Sequence, residues 1–96
     1  MENVSIIFLT NTNYFQWKSH MEDLLRSKGL YIITLGTENA PDEDEKKDKW
    51  ENKNVQAHGL IEMSISPDLR FHLECEDSLV KAWEKLNSVF GIKNEI

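Results

Sequence analysis

With one cysteine, two prolines and four scattered glycines, this chain of 96 residues has few ways to brace itself covalently or to bend sharply. Cys75 has no partner, so an intrachain disulfide is excluded and the cysteine usage suits a reducing compartment. A zinc centre would need about four ligands, and one cysteine with three histidines at these spacings does not supply them. The separated glycines build no phosphate-cradling loop. The longest apolar runs, residues 6–9 and 31–35, fall far short of the roughly 20 residues that span a bilayer. Met1-Glu2-Asn3 lacks the basic start of a secretory signal. Basic residues are also in deficit: 11 against 17 acidic ones, a net charge of −6. That balance repels polyanions at long range, and no basic run is interleaved with aromatics. The expectation is a cytoplasmic chain with no membrane contact, no direct nucleic acid binding, no cofactor and no small-molecule substrate.

What is present suits one small helical domain. The hydrophobic fraction of 40% excludes a wholly disordered segment, and three tryptophans offer large anchors for a core. Residues 4–9 are β-branched and apolar, fit for a short strand or an extended arm within residues 1–12. Thr12 or Asn13 is placed to cap a first helix over about 14–28, in which Tyr14, Trp17, Met21, Leu24 and Leu25 share a face. Lys28-Gly29 is a stop signal. Residues 30–36 read either as a strand pairing with 4–9 or as a buried link, irregular or briefly helical; the link is favoured. Pro41 and the acidic run 42–45 suit the start of a second helix, from about Asp44 to Met63 or Ser64. Trp50, Ala57, Leu60, Ile61 and Ser64 would share its face, interrupted by Asn54. Pro67 opens a short third helix through about Leu73, with Leu69, Phe71 and Leu73 as apolar contacts. Asp77 or Ser78 caps the last helix, whose stripe of Leu79, Ala82, Trp83, Leu86, Val89 and Phe90 ends at Gly91. The fold class expected is all-α, a bundle of about four to five helices over residues 13–91, with a tail over 92–96.

Candidate chemistry is thin. His72 and Cys75 are three residues apart with Asp77 near, a spacing that can bind metal or pair a nucleophile with a base. A thiol beside a short helix is the better reading, since no second ligand pair exists. His20 and His58 stand alone, and the run 42–45 lacks the alternating ligands, central glycine and closing glutamate of a calcium loop. No Ser-His-Asp arrangement has a supporting context. The expectation is therefore no catalytic, metal or cofactor residue, and no enzyme.

Asn13, Tyr14, Trp17, Lys18, Met21, Leu24, Leu25, Gly29, Leu30 and Gly36 together follow a family pattern: Asn-Tyr, two residues, Trp-Lys, a helix with Met and Leu, then Gly-Leu and a hydrophobic link ending in Gly. Pro41, Trp50, Ala57 and Ile61 continue it, as do residues 64–73 and the final Ala82, Trp83, Leu86 and Phe90. The chain resembles the N-terminal Gag region of copia-type LTR retrotransposons, over nearly its whole length. Leu79 stands where that family commonly has alanine. The resemblance implies a helical lobe like the N-terminal lobe of retroviral capsids, in a family whose Gag proteins build the particle around the element's RNA. The family continues past this point into further helices and enzymes, whereas Ile96 is the last residue here. An excised lobe and a short domesticated protein both fit that length.

These readings yield two sets of residues. Tyr14, Trp17, Met21, Leu25, Trp50, Ile61, Trp83 and Leu86 are expected as core anchors, with the three tryptophans meeting in one core. Val89, Phe90 and Ile92 are expected as an uncovered apolar end through which the chain associates with itself, as a dimer or higher assembly, or with related Gag chains. The other function weighed is an adaptor that binds a peptide or interferes with assembly of related Gag proteins.

Overall fold

In the computed structural model, residues 7–74, 76 and 78–91 are described. They form an all-α bundle: α1 (Tyr14–Ser27), α2 (Tyr31–Leu35), α3 (Asp44–Met63), a 3-10 segment (Pro67–Leu73) and α4 (Leu79–Leu86), which widens into a π turn over Asn87–Gly91. Residues 1–6 of the expected arm over 1–12, the Asp77 cap, Ile92 and the tail 92–96 lie outside the described residues.

Two glycines separate the first helices by the same device. The Gly29 and Gly36 φ angles are 72° and 82°, the left-handed region that costs other residues a Cβ clash. After α1, the Leu30 amide donates to the Leu25 carbonyl and the Gly29 amide to Arg26. After α2, the Thr37 amide donates to Ile32 and the Gly36 amide to Ile33. Both ends are Schellman turns, which satisfy carbonyls the helix leaves open. A Cβ on Gly36 would also meet a Val80 methyl at 3.1 Å, so this turn sits tight against α4.

The link over 30–36 is thus a short helix, and the strand alternative is corrected. Leu9 instead forms an isolated parallel bridge with Ile65. Its amide donates to the Ser64 carbonyl at 2.7 Å, and its carbonyl accepts from the Ser66 amide at 3.2 Å. The Asn13 expectation needs correction too. It holds the N-cap position of α1 without a side-chain cap bond. Its Oδ1 accepts from the Thr10 amide and its Nδ2 donates to the Phe8 carbonyl, so the side chain braces the incoming arm. Ser78 does cap α4, its hydroxyl accepting from the Lys81 amide.

The core is one cluster. Trp17 and Met21 are fully buried, as are Leu25, Ile61, Ala82, Leu86 and Tyr14 to within 1%. The Trp17 and Trp83 rings lie 5.7 Å apart, and the Trp17 indole N–H donates to the buried Ser64 hydroxyl at 3.0 Å. That hydroxyl passes its own proton to the Ile61 carbonyl at 2.8 Å, so the two polar groups at the centre are paired. Trp50 departs from expectation: it is half-buried, packs against the edge of the cluster, and donates its indole N–H to the Glu38 carbonyl at 2.9 Å. Phe71, expected as an apolar contact, is largely exposed, while Leu69 and Leu73 are buried.

Candidate functional site

The expected association end is covered by Tyr14 and His72. Phe90 is fully buried, its ring 6.3 Å from Tyr14 and 5.2 Å from His72. Val89 is partly buried against the core. Phe90 is therefore a core residue, and the uncovered end assigned to Val89 and Phe90 is corrected; Ile92 is outside the described residues. In the π turn Phe90 sits among aromatics, and the Asn87 side-chain Oδ1 accepts from the Tyr14 hydroxyl at 3.0 Å.

The exposed aromatics lie at the ends of that run. Phe15 packs edge-on against Tyr14 at 5.3 Å, Tyr14 against Phe90, Phe90 against His72, and His72 against Phe71 at 4.0 Å. Phe15 and Phe71 are 48% and 59% exposed, and Phe8 in the arm is 52% exposed. Three of the chain's four phenylalanines thus face solvent. Sequence reasoning missed Phe8 and Phe15. Phe15 had a signal: it falls one residue off the Tyr14–Trp17–Met21 stripe, where an amphipathic helix carries polar residues.

Burial pushes the Tyr14 phenol up to about 12, and the Glu22 carboxylate adds to the shift. Tyr31 is also raised, by burial first and then by donating its hydroxyl to Glu22 at 3.0 Å, while Arg26, 4.3 Å above its ring, opposes the shift. Both phenols stay protonated at neutral pH and act as donors.

A shallow cleft of about 510 Å³ lies between the end of α3 and the 3-10 segment, lined by His58, Glu62, Ile65, Arg70, Leu73 and Glu74, with Glu76 at its edge. His58 Nε2 is 3.1 Å from Glu62 Oε2 but makes no directed hydrogen bond, so the pair is held by proximity. Arg70 donates to the Ile65 carbonyl at 3.4 Å. Its rim is acidic over an apolar floor. Among the described residues no three His, Cys, Asp or Glu side chains converge to hold a metal ion. Cys75 and Asp77 are outside the described residues, so the His72–Cys75 pair has no geometry; His72 itself packs between Phe71 and Phe90. No helix among the described residues is long and apolar enough to cross a membrane.

Comparison with protein families, with curated proteins and with solved structures returns no match to this chain.

Proposed function

We propose that this chain is a capsid-like Gag lobe, of the kind found in copia-type retrotransposons or a domesticated derivative, and that it works by associating with itself in the cytoplasm. The observation that carries this reading is the exposure of Phe8, Phe15 and Phe71 on a helical bundle whose core is otherwise well filled. Aromatic side chains bring large apolar area at low entropic cost and are enriched where proteins meet. The ordered Trp17, Trp50 and Trp83 pattern supplies the family reading. The proposal assigns no catalytic step, cofactor or direct nucleic acid contact to the chain.

Light scattering across a hundredfold range of concentration tests it. Mass is expected to rise with concentration for the natural sequence and to stay monomeric for Phe71→Asp or Phe15→Asp. Both sites are exposed, so circular dichroism should show an unchanged fold. A single monomer mass for the natural sequence throughout would sink the reading.

The acidic cleft favours a second reading, an adaptor that receives a basic side chain of another protein on Ile65 and Leu73, between Glu62 and Glu74. A monomeric chain that binds a lysine-containing peptide, and loses it in Glu62→Lys, would move weight there.

A further inference from the structure

Helix α3 is 20 residues long, about 30 Å, and only its second half is buried in the bundle. Ala57 and Ile61 are fully buried, whereas every residue from Asp44 to Lys49 is exposed. The stripe that carries Ala57 and Ile61 runs back, at helical spacing, through Asn54 and Trp50, both only partly buried, and Lys46, Lys49 and Lys53 lie along one flank of it. These three lysines flank Trp50 in a shallow depression of about 240 Å³, closed on its other side by Glu38 and Pro41. Where the helix overhangs, cations line the flank of the core face.

The opposite side of the same overhang carries Asp44, Asp48 and Glu51, spaced by four and then three residues. The lysines are spaced by three and then four. Reversing one helix makes the two series coincide. Laid antiparallel, Lys46 meets Glu51, Lys49 meets Asp48 and Lys53 meets Asp44, with all three pairs in one register. Both series span seven residues, about 10.5 Å. Glu45 lies one turn before Lys49, and Lys47 one turn before Glu51, so each face has a competing neighbour; among the described residues neither pair is formed.

We propose that the lysine face of α3 in one copy docks on the carboxylate face of α3 in a second copy. This deepens the self-association reading and rests on it. The two faces are different, so each copy keeps one face free and the contact can propagate beyond a dimer. The net charge of −6 opposes approach at long range, but salt screens charges beyond about 8 Å under physiological conditions, and the facing pairs lie inside that distance. Exposed ion pairs are individually weak, so the contact is a low-affinity one that gains from repetition.

Charge reversal with mixing tests it, read by sedimentation velocity at low and high salt. One variant carries Lys46→Glu and Lys49→Glu, the other Asp48→Lys and Glu51→Lys; Asp44 is kept because it favours the start of α3. The natural chain is expected to associate and to dissociate as salt rises towards about 1 M, where screening acts within about 3 Å. Each variant alone is expected to lose the salt-sensitive association, and an equimolar mixture to regain it. Association of either variant equal to that of the natural chain would overturn the proposal, as would a mixture that stays dissociated. If Phe71→Asp abolishes association while both charge variants retain it, the aromatic reading stands and this one falls. A natural chain that is monomeric at every salt concentration removes both. Binding of labelled single-stranded RNA, lost in the Lys46→Glu, Lys49→Glu variant, would also overturn it by giving the lysine face a different occupant.

Discussion

The two halves of α3 follow one helical spacing and reach opposite ends. In the second half the stripe is Ala57 and Ile61, fully buried, closing on the Ser64 hydroxyl that receives the Trp17 indole. Towards the first half the stripe runs back through Asn54 to Trp50, both only half-covered, with Lys46, Lys49 and Lys53 along its flank. Period places a residue on a face; whether that face has a neighbour to pack on depends on where the helix lies in the bundle. A tryptophan in each environment should therefore respond differently to truncation. Trp17→Ala removes a fully buried ring with its indole bond and leaves a cavity, expected to cost about 3–5 kcal/mol, a large share of a small domain's stability. Trp50→Ala loses partial burial and one bond to the Glu38 carbonyl, expected to cost about 1–2 kcal/mol. Urea unfolding of both variants measures the gap; equal losses would erase the distinction between the halves.

Ser64 closes the buried half and sharpens the comparison further. It is fully buried, accepts from Trp17 and donates to Ile61. Ser64→Ala leaves the buried indole N–H without its partner, expected to cost about 1–3 kcal/mol. Ser66, two residues on and only partly buried, serves as the control, with Ser66→Ala expected to stay within about 0.5 kcal/mol.

Much of the bundle was legible from the chain. The α1 stripe, the α3 limits Asp44–Met63, and the Pro67–Leu73 segment follow from period, capping residues and punctuating Gly and Pro. The π turn was not legible, because nothing in Asn87–Gly91 breaks the helical spacing of α4; the turn forms where Asn87 and Phe90 meet Tyr14, a contact 73 residues away in sequence. Phe90 was on the expected stripe, four residues after Leu86, and was misplaced because the end of that stripe was expected to be uncovered, whereas Tyr14 and His72 cover it. The arm pairing Leu9 with Ile65 rests on a single bridge, too short to leave a periodic trace. Of the candidate site, Phe15 was missed although its place on the polar face was a readable signal, and Phe71 gave none, since a 3-10 segment repeats every three residues and does not follow the α-helical spacing.

The Tyr14–Asn87 bond ties the start of α1 to the π turn, and burial of the same phenol, with the Glu22 carboxylate adding to it, gives that end of the molecule an alkaline limit. The unfolded phenol ionises near its ordinary value of 10, the folded one at about 12. Below pH 10 both states hold the proton and the full contribution is present. Between the two values the unfolded state releases the proton first, so stability falls as pH rises, and the contribution is gone above about 12. Tyr14→Phe removes the bond to Asn87, expected to cost about 1 kcal/mol at neutral pH, and flattens part of the decline above pH 10. Urea midpoints from pH 8 to 11 test both effects; an unchanged slope would place the folded phenol near its ordinary value.

The smallest effect on stability is expected where the proposed contact lies. Lys46→Glu with Lys49→Glu alters two exposed side chains in the overhang of α3, neither in an ion pair with another described residue. Replacing cations by carboxylates near the start of a helix is slightly favourable to the helix dipole. It places new negative charge beside Glu45, which is slightly unfavourable, and the two nearly offset. The monomer should therefore keep its stability within about 0.5 kcal/mol in dilute solution, where copies do not meet. Thermal unfolding at low concentration is the measurement. A clear loss there would show that the lysines support their own bundle, packing their methylene stems on Trp50, and that the overhang is less independent of the core than its exposure implies.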